Sequence, residues 1–436
     1  MKSLFFGGVH PEGGKSLSAA SIPAAMPLPA RVSILLRQHI GEPCKPLVSV
    51  GDTVRMGQKI GDGQGLCVPV HASVSGVVEA IEDRPHPGGG LCPAVIIKND
   101  FLDTPDSALR PHPDSSGLTP DEIVSIIREA GIVGMGGAAF PSHVKAEPAA
   151  DGIDTLIANA CECEPYLTAD DALLQTGPDD VLRGLALLAR VLRPQRVVIA
   201  IEDNKEQAAK ILRERLAQFP DMELRILPTR YPQGAEKQLI QAVTGRQVPP
   251  GGLPRDVGCT VFNAATAAAV CHAVYDGAPL IERIVTVTGK AVRAPKNLIV
   301  RVGTSFADVI AAAGGLTDDV WKVLSGGPMM GAAQSDLSVP TAKGVNGVLC
   351  LSAAENGESS HPACIRCGKC LEVCPMRLEP LYLYRYAKAN NLAALERLHL
   401  TDCIECGCCA YACPGKVPLV EGFRAGKRAL KGAKAK

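Results

Sequence analysis

Two cysteine runs restrict what this chain can fold into more than any other feature. CIRCGKCLEVCP occupies positions 364–375 and CIECGCCAYACP positions 403–414. Both obey C-x2-C-x2-C-x3-C-P, a spacing that folds a loop around three corners of a [4Fe–4S] cubane. The fourth cysteine, one helical turn on, goes to the other cluster of a pair. The rule sorts eight thiols into two sets: Cys364, Cys367, Cys370 and Cys413 for one cluster, and Cys403, Cys406, Cys409 and Cys374 for the second. Cys408 is surplus to the pattern and is expected not to ligate. Paired zinc knuckles would want two C-x2-C pairs or Cys/His mixtures, not two four-cysteine runs each closed by Cys-Pro. The chain carries 17 cysteines, while its start, MKSLFFGGVHPEGG, has too short an apolar stretch for a secretory signal. In a reducing compartment, thiols in such number are metal ligands before they are disulfides.

Cubanes with every ligand position filled pass single electrons and make no bonds, so another part of the chain has to supply the electrons. Lys+Arg and Asp+Glu balance at 45 each, so no global field favours nucleic acid. No run of 18 apolar residues exists to span a bilayer. The 436 residues suffice for two to four domains.

Glycines point to the donor. Residues 131–145 read GIVGMGGAAFPSHVK and formally satisfy G-x-G-x-x-A, but a dinucleotide loop has to follow a strand and open a helix. The preceding TPDEIVSIIREAG (119–131) is helical by its own signals. Thr119 is the N-cap, Pro120 the first helical residue and Glu122 the partner in a capping box, with Ile123, Ile126 and Ile127 on one apolar face. The loop therefore holds something in another way. Downstream, an apolar strand from Thr155 delivers Asn159, Glu162 and Glu164 onto a loop, followed by Asp170 and Asp171. These carboxylates suit ribose hydroxyls or flavin N–H groups, and equally a solvated acidic loop. Cys161 and Cys163 form a lone C-x-C without histidine, a weak metal signal. RYPQGAEKQLIQAV (230–243) brings Tyr231, Gly234 and Glu236 into a helix with Leu239, Ile240 and Val243 on its apolar face. VFNAATAAAVCHAV (261–274) ends a strand at Asn263 and opens a small-residue helix near Thr266, either an anion site or a packed core helix.

GMGGAAFPSHVK, NACECEPYLTADD, YPQGAEKQLI, FNAATAAA and SGGPMMG (325–331), with FFGGVHPEGGK and QHIGEP (38–43) at the start, resemble the RnfC family, a component of the ion-translocating Rnf electron transport complex. The middle motifs are also similar to the flavin subunit of respiratory NADH dehydrogenases. The resemblance implies FMN on the glycine loop with NADH stacked over it. Gly134, Gly136, Gly137 and Lys145 would hold the pair, and Asn159, Glu162, Tyr231, Gly234, Asn263 and Thr266 would contact FMN. Phe140, Glu164 and Glu236 would face NADH, the two glutamates taking the catalytic part. Two positions depart from the respiratory pattern: Met135 replaces an arginine, and Ala139 stands where glycine is usual.

Residues 46–81 alternate short β-rich runs with V-GD-V-GQ turns and resemble a biotinyl/lipoyl barrel-sandwich fold. No lysine sits in LCVPVHASVSG to be acylated, so the domain reads as structural or docking, with His71 a packing residue. GGVHPEGGKS (7–16) has valine where a phosphate loop needs its first glycine. Residues 282–315 read strand, turn, strand, helix, similar to a small β-grasp domain, and 379–398 read as helix. The expected chain is thus multidomain α+β: a barrel-sandwich hybrid domain (1–112), an α/β FMN/NADH-binding domain (113–280), and a β-grasp domain with return segment (281–352). A helical dicluster ferredoxin module (353–424) and a basic, frayed or disordered tail (425–436) complete it.

By resemblance this is the electron-transfer subunit of a membrane-bound, ion-translocating ferredoxin:NAD+ oxidoreductase, passing electrons between NAD(H), FMN and two [4Fe–4S] clusters. Its partners would be the other subunits of an Rnf-type complex, a ferredoxin-linked iron–sulfur subunit among them, and no nucleic acid. It would sit peripherally on the cytoplasmic side of the inner membrane. The alternatives are a soluble relative feeding another acceptor, and a dicluster carrier whose flavin domain is empty. Cobalamin-reducing relatives place the flavin domain first, which the N-terminal barrel-sandwich region argues against.

Overall fold

A computed structural model describes residues 5–108, 110–147, 152–355 and 362–434. The first layer is two small antiparallel sheets face to face. One runs Arg31–Leu35, Leu91–Asn99, Gly76–Pro85, Thr53–Val54, and the other Lys45–Pro46, Lys59–Asp62, Val70–His71. Val32, Ile34, Ile60, Val70, Val95 and Ile97 fill the space between them, the barrel-sandwich arrangement expected from the alternating pattern.

The helix Pro120–Glu129 forms as its ends dictate. The Thr119 side chain accepts from Glu122 N–H, Glu122 reaches back to Thr119 N–H, and Ile123 and Ile127 are wholly buried. Beyond it lies a four-stranded parallel sheet in the order Met222–Leu227, Arg196–Glu202, Thr155–Ala160, Cys259–Asn263. Helices Pro178–Leu192 and Ala264–Tyr275 cover one face, and Glu236–Thr244 the other. From Thr155–Ala160 the chain winds outward twice on one side, then returns to add Cys259–Asn263 on the opposite side. The strand order therefore reverses between those two strands. Open α/β sheets bind ligands outside the carboxyl ends of the strands at such a reversal. Asn159 and Asn263 stand in register at that place.

A third, six-stranded sheet runs Ala24–Ala25, Lys296–Arg301, Glu282–Thr288, Gly347–Ser352, Val320–Ser325, Ala332–Gln334, with helix Phe306–Ala312 packed on it. The strand, turn, strand, helix order read from 282–315 is present.

The C-terminal module is helical, with one difference from the sequence-based expectation. Residues 379–398 are not one helix but two, Pro380–Lys388 and Leu392–Arg397. Asn390 adopts φ 50° and the Asn391 side chain caps Ala394 N–H at 3.1 Å. Asparagine tolerates the left-handed region and competes for backbone donors, so the pair ends one helix and starts another. The basic stretch after 425 continues the helix Leu419–Lys434, and Leu430 packs into the module core beside Leu395 and Leu400. Residues 435 and 436 lie outside the described residues.

Gly184 lets Pro178–Leu192 lie directly on Ala264–Tyr275, since a Cβ there would fall 1.8 Å from Ala267 O. Gly184→Ala should force the helices apart and destabilise by roughly 1–3 kcal/mol or more, as overpacked cores do. A lowered denaturant midpoint by circular dichroism is the expected result.

Candidate functional site

At the strand-order reversal the glycine loop lies over the amino end of helix Ala264–Tyr275. Thr266 Oγ1 accepts from Met135 N–H at 2.9 Å, and Asn263 caps the helix by accepting from Ala265 and Thr266 N–H. Residues 136–138 are exposed. Gly136 is informative because the chain itself does not demand it. Its φ is not left-handed, and an added Cβ would meet nothing closer than Asn263 Cβ at 3.6 Å. A Cβ on Gly137 would meet nothing within 4 Å. Bare backbone facing open space, at the reversal point of a parallel sheet, fits a flat ligand pressed against it.

Two features support the loop where the pattern departs from expectation. Ala139 holds φ 50°, the left-handed conformation that glycine adopts without strain, and its carbonyl accepts from Ile40 N–H at 3.1 Å. Behind Met135, the buried Arg283 guanidinium donates to Met135 O at 3.3 Å and to Lys343 O. Burial lowers the Arg283 pKa to about 10, a guanidinium still charged at neutral pH. No local signal reveals Arg283, because the contact joins a strand of one domain to a turn of another.

The acidic residues are not a solvated loop. Glu162 is buried and accepts from Asp170 N–H at 2.9 Å, capping helix Ala169–Thr176. Asp170 in turn accepts from Asn263 Nδ2 at 2.6 Å, and burial together with the Glu162 charge pushes its carboxyl well up. Asn159 donates to Gly234 O at 2.8 Å and accepts from Cys161 N–H. Cys161 and Cys163 are occupied by backbone: Cys161 Sγ lies 3.3 Å from Ala200 O, and Cys163 Sγ accepts from Gly234 N–H at 3.3 Å. Lys205 and Glu202 pair at 3.1 Å, both buried, behind them. On the open side, Lys145 bridges Glu236 Oε1 and Val261 O, each at 2.7 Å. Phe140 is partly exposed where it closes the loop, its carbonyl accepting from Gly134 N–H at 2.8 Å.

Glu164 and Tyr231 face elsewhere. The Glu164 carboxylate accepts from Met329 N–H at 2.7 Å and Met330 N–H at 3.1 Å within SGGPMMG, and burial raises its pKa. Lys15, the last residue of FFGGVHPEGGK, donates to Glu164 O at 3.0 Å and to Leu167 O. Tyr231 is 2% exposed, and its hydroxyl donates to Cys406 O at 2.7 Å.

That bond leads into the cysteine module. Cys374, Cys403, Cys406 and Cys409 line one cavity with Pro375, Ile404 and Phe423 around them. Four thiols converging on one apolar cavity are the donor chemistry of a cubane, so the residues fit the cluster. Leu378 N–H and Glu405 N–H point at Cys374 Sγ and Cys403 Sγ at 3.3 and 3.4 Å, contacts that tune a cluster's potential. The two runs repeat one another's backbone: Arg366 and Glu405 share left-handed φ values of 57° and 56°, and Gly368 and Gly407 both have φ 78°. In the other set Cys370 and Cys413 are half-buried, whereas Cys364 and Cys367 are exposed. Cys408 also borders the first cavity, but its Sγ lies 4.0 Å from Tyr231 O, against the neighbouring domain.

Comparison with known proteins agrees with this layout. Residues 3–102 match the RnfC barrel sandwich hybrid domain and 127–272 the Nuo51 FMN-binding domain. Residues 284–333 match the SLBB domain, and 363–417 the 4Fe-4S dicluster domain. The RnfC protein of the Na+-translocating ferredoxin:NAD+ oxidoreductase complex of Acetobacterium woodii is 44% identical, over 98% of this chain and 97% of that one. Its proton-translocating counterpart in Clostridium ljungdahlii is 44% identical over 88% and 84%. The RnfC protein of the ion-translocating oxidoreductase complex of Rhodobacter capsulatus is 42% identical over 97% and 82%. Among solved structures, a chain of an NAD+-reducing [NiFe]-hydrogenase superposes with a TM-score of 0.50 at 22% identity, over 74% of this chain and 64% of its own, a likeness of fold alone.

The placement of the thiols makes a metal-content prediction. Reconstituted protein should hold about eight irons, two cubanes' worth. Cys408→Ala should leave that count unchanged, while Cys367→Ala should remove a cluster. Equal iron loss in the two variants would show that the register of the second run is misread.

Proposed function

Since the chain belongs to the RnfC family, we propose that it exchanges electrons between NAD(H) and the partner subunits of an ion-translocating ferredoxin:NAD+ oxidoreductase. Bound FMN takes two electrons together from a hydride and releases them singly, which is how it couples NADH to one-electron iron–sulfur clusters. The observation that carries the proposal is the bond between the flavin domain and the cysteine module. The Gly234 turn, held by Asn159, leads to Tyr231, whose hydroxyl donates to Cys406 O in the buried Cys374/Cys403/Cys406/Cys409 set, while Cys364 and Cys367 are exposed.

Gly134, Gly136, Gly137 and Lys145 would hold the flavin and nucleotide. Asn159, Glu162, Gly234, Asn263 and Thr266 would line the flavin side, with Tyr231 between the flavin and the nearer cluster. Phe140 and Glu236 lie on the exposed side, where a diffusing nucleotide has access. Glu164 acts there through the loop it holds, fixing Met329 and Met330. The exposed cluster set is the exit, and a ferredoxin-linked iron–sulfur subunit is the partner that fits it.

No described helix is long and apolar enough to cross a membrane. Attachment to the membrane complex, on its cytoplasmic side, would therefore run through partner subunits.

Glu236 separates a working flavin site from a vestigial one. Its side chain is 41% exposed and paired with Lys145, so as a surface ion pair it is worth at most about 1 kcal/mol of stability. As a group orienting the nicotinamide it is worth more. Glu236→Gln should slow NADH-dependent reduction of an artificial acceptor roughly ten- to a hundredfold, each 1.36 kcal/mol being about tenfold in rate. FMN content, quantified in the same stopped-flow sample, should match the parent. Parent-like rates would remove Glu236 from the site, and a parent without FMN would remove the oxidoreductase reading.

A further inference from the structure

Three soft donors meet inside the N-terminal domain, far in sequence from the cysteine runs. His39 follows strand Arg31–Leu35, Cys44 precedes Lys45–Pro46, and Cys67 precedes Val70–His71. All three are buried. Cys44 Sγ and Cys67 Sγ are 3.6 Å apart, and His39 Nε2 lies 3.6 Å from Cys67 Sγ and 4.0 Å from Cys44 Sγ. Around a tetrahedral zinc ion, with bonds of about 2.3 Å to sulfur and about 2.0 Å to nitrogen, S···S edges are about 3.8 Å and S···N edges about 3.5 Å. The triangle has the size that a single zinc ion requires.

Its surroundings are also those of a metal site. His39 Nδ1 faces Ile40 O at 3.3 Å, which places the proton on Nδ1, while Nε2, on the side of the thiols, accepts from Val68 N–H at 3.3 Å, a contact the ion would replace. Metal-ligating histidines are oriented by such a contact on the other ring nitrogen. Val68 O stands on the fourth side, 3.2 Å from Cys44 Sγ and 3.8 Å from Cys67 Sγ. Gly63 keeps the space open, since a Cβ there would fall 2.9 Å from Cys67 Sγ.

We infer that His39, Cys44 and Cys67 bind one Zn2+ ion, with Val68 O or a water in the fourth position. Two thiolates and a neutral imidazole are ligands suited to zinc, and both thiol protons leave when it binds. The residues beside His39 give the ion a structural role. Gln38 Oε1 accepts from Lys343 N–H at 2.9 Å, and Ile40 N–H donates to Ala139 O in the glycine loop. A metal fixing His39 would anchor the barrel-sandwich domain to the loop proposed to carry the flavin.

The test uses the full chain, purified anaerobically with its clusters, and measures zinc, iron and FMN in one sample. About one zinc per chain is expected beside full iron, with two sulfurs at about 2.3 Å and lighter ligands at about 2.0 Å in the zinc X-ray absorption spectrum. Cys44→Ser and Cys67→Ser should each lose the zinc and keep the iron. Four cysteines of a cluster run would instead surround zinc with four sulfurs, so a four-sulfur shell overturns the site. It is equally overturned if the parent stays zinc-free after zinc is added, if both variants retain zinc, or if mass spectrometry finds a Cys44–Cys67 disulfide in the anaerobic protein. Should a serine variant fail to fold, the ligand shell in the parent decides alone. FMN and iron contents are read separately, so failure here leaves the electron-transfer proposal standing.

Discussion

The hydroxyl of Tyr231 on the carbonyl of Cys406 joins two domains that share no strand. Electron transfer requires a flavin and a cluster to be close and to stay close, so the chain has to weld its flavin domain to its cysteine module. Tyr231 is one weld. Val9 is another, pairing with Tyr231 as an isolated antiparallel bridge while neighbouring Gly8 N–H donates to Val373 O at 2.9 Å. The N-terminal segment is thus threaded between the two halves that it holds. Val9, Tyr231, Cys406 and Cys408 pack as one small core where the two domains meet.

Buried carboxylates complete that seam. Glu164 directs its charge onto two backbone N–H groups of SGGPMMG, and Glu162 directs its own onto the start of a helix. A carboxylate in such a place stays only if its acceptor capacity is used, because removing an unpaired charge from water costs far more than the loop's own contacts offset. Lys205, paired with Glu202 and reaching Glu162 O at 3.4 Å, adds the positive charge that this acidic interior needs. Buried charges held by partners are also what electron transfer favours, since little has to reorganise when charge passes.

What the sequence disclosed follows how local each signal is. Cluster ligation is written in spacing, and both runs adopt matching backbone. The capping box at Thr119 and Glu122 is equally local, and it sufficed to reject the dinucleotide loop that the glycines mimic. Register within the parallel sheet, and hence the meeting of Asn159 with Asn263, is a property of strand order that no single segment carries. Arg283 reaching Met135 and Ala24–Ala25 pairing with Lys296–Arg301 are longer-range still. The misread helix at 379–398 fails for a physical reason. Its apolar spacing continues through the break, and only left-handed Asn390 and the capping Asn391 mark the turn.

Glycines of two kinds divide the molecule, and the division separates contacts the chain makes with itself from those it keeps for something else. Gly7, Gly234, Gly327 and Gly407 lie along the weld. A Cβ on them would come within 2.7 Å of Cys374 C, 2.3 Å of Cys161 O, 2.2 Å of Glu164 Cγ and 2.7 Å of Met329 O respectively. There glycine is needed because two parts of one chain press together, and any side chain would widen the gap that electrons cross. Gly136 meets no such neighbour and is not left-handed, whereas Gly137 holds φ 111°, a conformation that side chains rarely adopt. At Gly136 neither packing nor backbone conformation demands glycine, so the bare backbone at the strand-order reversal leaves room for a flat ligand.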